Sequence, residues 1–458
     1  MKNEAPPTAN KLVLAALAGA VLLASLGVSI ATVALPTLAR AFSATVQQVQ
    51  WVVLAYLLAV TAAIVSAGRL GDLYGHRRVL IAGLLLFTLA SAVCALAPGL
   101  SWLIAGRLAQ GLGAAILMSL PMPMAKGLVG TMRLGTAMGL LGTMSAVGTA
   151  MGPSLGGLLI GAWGWRAAFV LLTLGGTGML VLVSTAIPTA SASGATAGGM
   201  DWAGSVWLAI LLLCFALSAT GGKVGMPIPL WSLLVLAAIA LVAFVRTETG
   251  ATSPLVPVHL LRGRAIATSL ATNLIVGAIM MSTLVVGPFL LSFGLGLSEA
   301  GTGMVMAVGP AVAALSGVPA GRLTDRFGAH PTLLAGLMLA TVGLCCFAVL
   351  PALVGIPGYV MALALITPGF QLFLAANNTA VMARAPDAHR GMLSGLLGLS
   401  RNVGLMAGAS LLPLVFASML GGRGVADSSA EAVRAAFSAT FVWATGLCVL
   451  ATLLAVLG

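Results

Sequence analysis

Two arginines interrupt long apolar runs of this sequence, Arg107 within the segment GRLAQGLG and Arg401 within LLGLSRNVG. A guanidinium in apolar surroundings is costly unless it is paired, so such a residue is by default a functional candidate. Its planar fork of donors suits a carboxylate or another anionic group, which makes each arginine a candidate for ligand binding or coupling. The alternative is structural, because either guanidinium can instead bind backbone carbonyls or side-chain amides and hold helices together.

Uncharged polar side chains occur in the same kind of run. They are Tyr56, Gln110, Gln371, Asn377 and Asn378. Polar groups inside an apolar helix usually face the protein interior, where they line a pathway or bond to a neighbouring helix. Both interpretations stay open, and these five residues join the two arginines as candidates for ligand binding or coupling.

The acidic residues lie outside these runs. All nine fall in loops or at the ends of apolar runs: Glu4, Asp72, Asp201, Glu248, Glu299, Asp325, Asp387, Asp427 and Glu431. The four histidines also lie outside the runs, so no carboxylate or imidazole is expected deep inside them. A site that contains only positive charge favours neutral, zwitterionic or anionic ligands over cations, and it lacks an acid that exchanges a proton for a cation.

The elements that carry these residues are membrane helices. Hydrophobic residues make up 60% of the 458 positions and charged residues only 7%, against about 25% in a typical soluble domain. The apolar runs are about 20 residues long and lack the two-residue alternation of barrel strands, which predicts an all-α integral membrane fold. The net charge of +12 does not indicate nucleic-acid binding, because the basic residues are not clustered on one element. The five cysteines lack metal-ligand spacing to a histidine, so neither disulfides nor a metal site is expected.

We predict fourteen transmembrane helices. They cover residues 12–36, 47–68, 79–97, 101–126, 134–159, 166–187, 202–220, 229–246, 266–293, 299–319, 332–351, 356–383, 391–419 and 434–457. With the N-terminus inside, fourteen lysines and arginines fall on the inner side, five on the outer side and two within spans. This excess follows the positive-inside rule, and it predicts a multi-pass protein of the cell (inner) membrane with both termini in the cytoplasm.

An internal repeat divides the chain. Residues 68–86 read GRLGDLYGHRRVLIAGLLL and residues 321–339 read GRLTDRFGAHPTLLAGLML, with ten of nineteen positions identical. Each copy follows the second span of a six-span set, which predicts two six-helix bundles in the same orientation. The predicted units are an N-terminal bundle over 1–187, a linker with two inserted helices and a cytoplasmic loop over 188–264, and a C-terminal bundle over 265–458.

The repeated loop is a candidate for gating. Its glycines allow a tight turn and a close approach of helix ends, and Asp72 can accept hydrogen bonds from a helix N-terminus or pair with Arg77 or Arg78. We expect a charged latch between the two bundles, although a plain turn with solvated charges is the alternative. The candidate gating residues are Gly68, Asp72, Gly75, Arg77, Arg78, Asp325 and Arg326.

A second motif lies in the fifth span, where residues 148–157 read GTAMGPSLGG. Small residues at four-residue spacing let another helix pack closely, and a proline removes one backbone hydrogen bond and bends the span. A bent, tightly packed helix can seal one half of a central pathway, whereas generic close packing is the alternative. The motif residues are Gly148, Gly152, Pro153, Gly156 and Gly157.

These motifs resemble those of the major facilitator superfamily, and with fourteen spans they are most similar to its fourteen-span drug:H⁺ antiporter family. The segment GRLGDLYGHRR resembles the family's loop between spans two and three, GTAMGPSLGG its antiporter motif, and Arg107 its fourth-span arginine. The resemblance implies a major facilitator fold that exports small amphipathic organic molecules by alternating access, as in multidrug efflux and antibiotic resistance. It further implies a proton gradient as the energy source and no cofactor. The chain departs from the family at Gly27, where the first span usually carries an acid.

Two alternatives follow from the missing acid, an uncoupled facilitator and an exporter specific for an anionic or zwitterionic metabolite. An enzyme is not expected, because no nucleophile, pair of carboxylates or set of metal ligands gathers at a membrane face. The expected partners are a small-molecule substrate and membrane lipid, not nucleic acid. A monomer is expected, because the sequence shows no large soluble domain that recruits a second chain.

Overall fold

The computed structural model describes residues 7–129, 134–187, 202–219, 230–250, 263–383, 390–421 and 424–457. Within these ranges the regular structure is helical and includes no strand, so the all-α prediction is confirmed for the part described. The predicted linker at 188–200 falls outside these ranges, and the side chain of Asp72 is also outside the description.

The first part of the chain forms eight helices. They are α1 (Pro7–Ala41), α2 (Val46–Val49), α3 (Trp51–Tyr74), α4 (His76–Ala95), α5 (Leu100–Ser119), α6 (Pro121–Val129), α7 (Leu134–Trp163) and α8 (Arg166–Ala186). The remaining helices are α9 (Trp202–Ala219), α10 (Leu230–Gly250), α11 (Arg264–Phe289), α12 (Glu299–Phe327), α13 (Ala329–Val354), α14 (Ile356–Ala383), α15 (Arg390–Met419) and α16 (Ala430–Leu457). A π-helical turn, Leu290–Gly294, continues α11.

Twelve helices of the described chain are long and apolar enough to cross a membrane. The two other predicted spans, at 134–159 and 202–220, also fall on helices, which are α7 with 30 residues and α9 with 18 residues. In α9 the apolar stretch is Ala203–Ser218, which is shorter than the twelve. The structure is therefore that of a multi-span helical membrane protein, and the count of fourteen spans remains a prediction.

The helices pack in two groups. In the first group α1 packs on α7, α5 packs on α3 and α4, and α4 packs on α8. In the second group α11 packs on α15, α14 packs on α12 and α13, and α13 packs on α16. The groups meet where α7 lies on α12, α1 on α11 and α3 on α15. From the inserted pair, α9 contacts both α3 and α15, and Ser205 of α9 shares a hydrogen bond of 2.6 Å with Ser66 of α3.

A second internal repeat relates the two groups. Residues 139–155 of α7 and 395–411 of α15 are identical at nine of seventeen positions. In α7 a Cβ atom at Gly148 would stand 2.5 Å from a carbonyl oxygen of α1, and in α15 a Cβ at Gly404 would strike a carbonyl oxygen of α11. Since only glycine fits such a backbone contact, the same close helix pair is built once in each group.

The two groups are joined at one end, which we call the Arg40 end. Arg40, in the last turn of α1, forms an ion pair with Glu299 at the start of α12, and its Nη2 donates to Ser292 Oγ at 2.6 Å. Close by, a Cβ atom at Gly157 of α7 would stand 2.6 Å from the Cα of Gly303 in α12. These contacts bring the backbones of the two groups together at this end.

The opposite end, which carries Asp325, is more open. Asp325 itself is exposed in the last turn of α12. At Gly68, Gly321 and Gly398, which lie toward this end, no neighbouring atom stands within 4 Å of the place where a Cβ would be. At these three positions no other described helix packs on the glycine, in contrast to Gly157 and Gly303 at the Arg40 end.

Candidate functional site

Arg107 is fully enclosed by the first group of helices. From α5, its Nε donates to Val52 O of α3 at 2.7 Å, and its Nη1 donates to Gly27 O of α1 at 2.9 Å. The guanidinium carbon also lies 4.2 Å from the centre of the Tyr56 ring. One side chain thus joins three helices through backbone oxygens, which is the structural alternative considered for this residue.

The hydrogen bonds continue through Gln110 to α4. Arg107 Nη1 donates to Gln110 Oε1 at 2.5 Å, and Gln110 Nε2 donates to Ser91 Oγ at 2.6 Å. Tyr56 donates its hydroxyl proton to Ala24 O of α1 at 2.7 Å. We call Arg107, Gln110, Tyr56 and Ser91 the buried polar network. All four side chains are 0% exposed, so in this conformation they hold helices together and are out of reach of a ligand.

One donor of the buried polar network is left over. Arg107 Nη2 is buried and has no hydrogen-bond partner within the described residues. The residue whose carbonyl faces the guanidinium is Gly27, the position at which the resembling family usually has an acid. A Cβ at Gly27 would stand 3.1 Å from Tyr56 Oη and 3.3 Å from Phe87 Cζ, so aromatic side chains already fill the space of an acid.

Arg401 has the opposite environment. Its side chain is exposed, although it lies five residues inside the apolar stretch Leu396–Met419 of α15. Residues at three- and four-residue spacing share its face of the helix, and their exposure falls steadily along that face. Gly398 and Arg401 are exposed, Leu405 is half-buried, and Ala409, Leu412 and Phe416 are buried.

The fall in exposure along this face of α15 shows whether the face borders lipid or the space between the two groups. A face turned to lipid is exposed along its whole length, whereas this face is covered toward the Arg40 end, where α2 and α3 pack on α15. An arginine at this depth avoids hydrocarbon and is found next to water or a partner. Arg401 therefore lines the space between the two groups, near its closed end.

The amide side chains of α14 also include both buried and accessible residues. Asn377 is fully buried, and its Nδ2 donates to Ser269 O of α11 at 3.4 Å. Gln371 is half-buried next to Gly317 of α12, and Asn378 is exposed. Of the seven polar candidates, Arg401, Gln371 and Asn378 are thus accessible, whereas the other four are structural in this conformation.

The tight turn of the repeated loop is present in both copies. Gly75 has φ of 90° between α3 and α4, and Gly328 has φ of 87° between α12 and α13. An L-residue with a side chain is strained at these angles, which explains glycine at both positions. Gly68 corrects the expectation of close approach, because no atom lies within 4 Å of its Cβ position.

Arg77 binds the C-terminal end of α8, a contact that was not predicted. Its Nη2 donates to Ser184 O at 2.7 Å and its Nε donates to Ile187 O at 2.6 Å. A cation at these carbonyls satisfies the C-terminal end of α8 and complements its dipole. Three other charged candidates of this loop and its repeat are exposed: Arg78, Asp325 and Arg326. The latch role of Asp72 stays a prediction, because its side chain lies outside the description.

The glycine motif of α7 packs on α1 and on the second group. A Cβ at Gly152 would strike the Ser29 side chain, and one at Gly156 would stand 2.8 Å from Ile30 Cγ1. The helix continues through Pro153, whose carbonyl would be struck by a Cβ at Gly303 of α12. This segment therefore forms part of the seam between the groups at the Arg40 end.

Sequence reasoning missed the ion pair at that end. Arg40 and Glu299 are separated by 259 residues, and each reads as an ordinary charge at the end of a span. It also missed Asn273 of α11, whose Nδ2 donates to Leu397 O of α15 at 2.9 Å. The repeat between α7 and α15 is the one signal that points to this helix pair. No group of metal-ligating residues occurs within the described ranges.

Comparisons with known proteins agree on one family. The sequence pattern of the Major Facilitator Superfamily matches residues 17–409, with a second match over 268–458. The chain is 31% identical to the uncharacterized transporter YebQ of Escherichia coli, over 87% of this chain and 88% of that one. It is 32% identical to the multidrug resistance protein Stp of Mycobacterium tuberculosis, over 85% and 73% of the two chains. It is 27% identical to the riboflavin transporter RibZ of Clostridioides difficile, over 87% of each.

A solved structure shows the same fold. A bacterial homologue of the human lysosomal transporter Spinster, crystallised in an inward-facing and unoccupied conformation, aligns with a TM-score of 0.75 and 15% identity. The alignment covers 99% of this chain and 97% of that one. Together with the family match over nearly all of the sequence, this shows that the chain belongs to the major facilitator superfamily of membrane transporters.

Proposed function

We propose that this chain is a secondary active exporter of small amphipathic organic molecules, driven by a proton gradient and working by alternating access. The observation that carries the proposal is the face of α15, which is exposed at Arg401 and buried toward the Arg40 end. Such a face is expected for a central cavity that is open at one end and closed at the other. The names of two relatives, a multidrug resistance protein and a riboflavin transporter, support an organic substrate.

The proposal assigns the two groups of helices to rocking bundles over 1–187 and 265–458, with fourteen spans and both termini in the cytoplasm. The excess of basic residues on the side of the termini supports this orientation. The Arg40 end then faces outward, and the conformation described is open to the cytoplasm. Transport requires that the contacts of Arg40 with Glu299 and Ser292 break while the cytoplasmic ends close.

A second candidate is an uncoupled facilitator. The acids whose positions are described lie in terminal helical turns or a short 3₁₀ turn: Asp72, Glu248, Glu299, Asp325, Asp427 and Glu431. Gly27 leaves no carboxylate beside Arg107 in the first group. Proton coupling in this chain would therefore use an acid near a membrane face, whereas a facilitator needs none.

Dye uptake into everted membrane vesicles with an acidic interior tests the proposal. Proton-driven export predicts accumulation of rhodamine 6G or fluorescein above the external concentration, and a protonophore abolishes it. Equilibration without accumulation supports the facilitator, and uptake equal to that of vesicles without the protein contradicts transport of these dyes. Substrate-stimulated proton flux, compared between the unaltered chain, Asp72→Asn and Arg401→Ala, then shows which residue coupling requires.

A further inference from the structure

We infer that Arg401 is the anion-binding point of the transport site, so that the substrate carries a carboxylate, sulfonate or phosphate group. The inference rests on the proposed function and names the substrate class of the same cavity. It is carried by four features of Arg401: its accessibility, its fixed backbone, its lack of a side-chain partner among the described residues and its place in the internal repeat.

The face of α15 that carries Arg401 has open space beside it. Gly398 lies one turn earlier on the same face of α15, and no neighbouring atom stands within 4 Å of its Cβ position. Leu412 and Phe416 close this face toward the Arg40 end, at 3% and 0% exposure. A ligand that enters from the Asp325 end therefore meets Arg401 just before the cavity closes.

The backbone that carries Arg401 is clamped to α11. Asn273 Nδ2 donates to Leu397 O at 2.9 Å, and Ser400 Oγ donates to Leu270 O at 2.8 Å. On the other side of this contact, a Cβ at Gly277 would stand 3.0 Å from Arg401 O. The backbone at Arg401 is thus held by a closely packed helix pair, so that binding has to order only the side chain.

Within the part of the chain that the structure describes, the Arg401 side chain has no partner. The structure shows no hydrogen bond or ion pair from its side chain to any residue in the described ranges. Arg107, in contrast, is sealed in the buried polar network. The accessible polar side chains of α14, which include Gln371 and Asn378, are uncharged and do not neutralise a cation. A guanidinium that is accessible and has no counter-charge beside it attracts anions.

The internal repeat indicates which residue of the first group is equivalent to Arg401. Position 401 of α15 corresponds to Ser145 of α7, and Ser145 Oγ shares a hydrogen bond of 2.9 Å with Ser25 Oγ of α1. Equivalent positions in two related groups lie at equal depth. At this depth the second group therefore has an exposed cation, and the first group has the half-buried Ser145 hydroxyl bonded to the buried Ser25. A ligand with one anionic group and one uncharged polar group fits both.

The test compares fluorescein, an anion, with rhodamine 6G, a cation. Fluorescence anisotropy measures the binding of each dye to the detergent-solubilised full chain, and uptake into proteoliposomes measures transport. The variants are Arg401→Gln, the conservative Arg401→Lys, and Ser145→Ala. Arg434→Gln is the matched control, because it removes one positive charge at the Arg40 end of α16.

We expect Arg401→Gln to weaken fluorescein binding roughly tenfold or more, as for loss of a charge-assisted hydrogen bond. Rhodamine 6G binding should stay equal or become tighter, Arg401→Lys should restore part of the fluorescein affinity, and Arg434→Gln should change neither dye. An equal loss for both dyes, or no loss for either, overturns the inference. If Arg401-dependent fluorescein binding occurs without uptake of any dye, the anion site stands and the proposed transport function fails.

The head group of an anionic lipid offers the same chemistry as a soluble organic anion. We assign the site to the soluble anion, because Arg401 lies on the cavity side of α15. Binding is therefore repeated in micelles that contain phosphatidylglycerol. Fluorescein affinity should change less than twofold, whereas displacement by equimolar lipid would identify a lipid site and contradict the assignment.

Discussion

Arg40 Nη1 and Glu299 Oε1 lie 3.1 Å apart and join the last turn of α1 to the first turn of α12. The same guanidinium stands over the Phe293 ring, at 4.5 Å from its centre, and donates to Ser292. The side chains of the pair are 42% and 30% exposed, so water competes with the pair and its contribution to stability is small. A weak but specific contact of this kind suits a junction that must open and close repeatedly.

Replacement of Glu299 by Gln should open the Arg40 end more often, because the attraction between opposite charges is lost. Val33 is a buried position on α1, one turn before Thr37. A cysteine introduced at Val33 should become reactive only when the Arg40 end opens. In a background with Cys345→Ser, a membrane-impermeant maleimide added to intact cells should label Val33→Cys several-fold faster when Glu299→Gln is present. Arg434→Gln should leave the labelling rate unchanged. An unaltered rate in Glu299→Gln would show that the ion pair does not hold this end closed.

Gln50, between α2 and α3, should oppose closure of the Arg40 end. It is 0% exposed, and neither polar atom of its amide has a partner within the described residues. A buried polar group without a partner costs about 1–3 kcal/mol. Gln50→Leu should therefore raise the thermal unfolding midpoint in detergent and slow dye transport. Gln47→Leu, one turn away, is the control, and a lower midpoint in Gln50→Leu than in this control would contradict the argument.

The glycine contact between α15 and α11 should tolerate no side chain. A Cβ at Gly408 would collide with the carbonyl of Ala278, whereas a Cβ at Gly398 of the same helix meets open space. Gly408→Ala should lower the unfolding midpoint by several degrees, because two backbones must separate. Gly398→Ala should match or exceed the stability of the unaltered chain, since alanine favours a helix more than glycine by about 1 kcal/mol. Equal midpoints for the two variants would refute the difference in packing.

Arg107 should be more important for stability than for recognition of any one substrate. Arg107→Gln removes two charge-assisted hydrogen bonds, to Val52 O and Gly27 O, each worth about 1.5–3 kcal/mol. The unfolding midpoint should fall, and residual transport should decrease by the same factor for fluorescein and rhodamine 6G. A change in the preference between the dyes, with an unchanged midpoint, would instead place Arg107 at the substrate.

Helix positions and the loop turn were predictable from the sequence, because they depend on local properties. Apolar runs predict where helices lie, and Gly75 ends α3 with a turn that only glycine adopts readily. The environments of Arg107 and Arg401 were not predictable. Both arginines interrupt an apolar run, yet one is sealed and the other open, because the outcome depends on which helices pack against each face. The pair of Arg40 and Glu299 was hidden for a similar reason, since it depends on the docking of two distant helix ends.

A duplicated chain begins with two identical copies of every position, and the copies at Ser145 and Arg401 have since diverged. That divergence gives the C-terminal half an exposed cation at a position where the N-terminal half has a serine hydroxyl. An anionic ligand held there would stay with its charged end on the C-terminal half during the whole exchange of access. The uncharged end of the ligand would then leave first, from the N-terminal half. The ligand would thus keep one orientation in the plane of the membrane while it crosses the membrane.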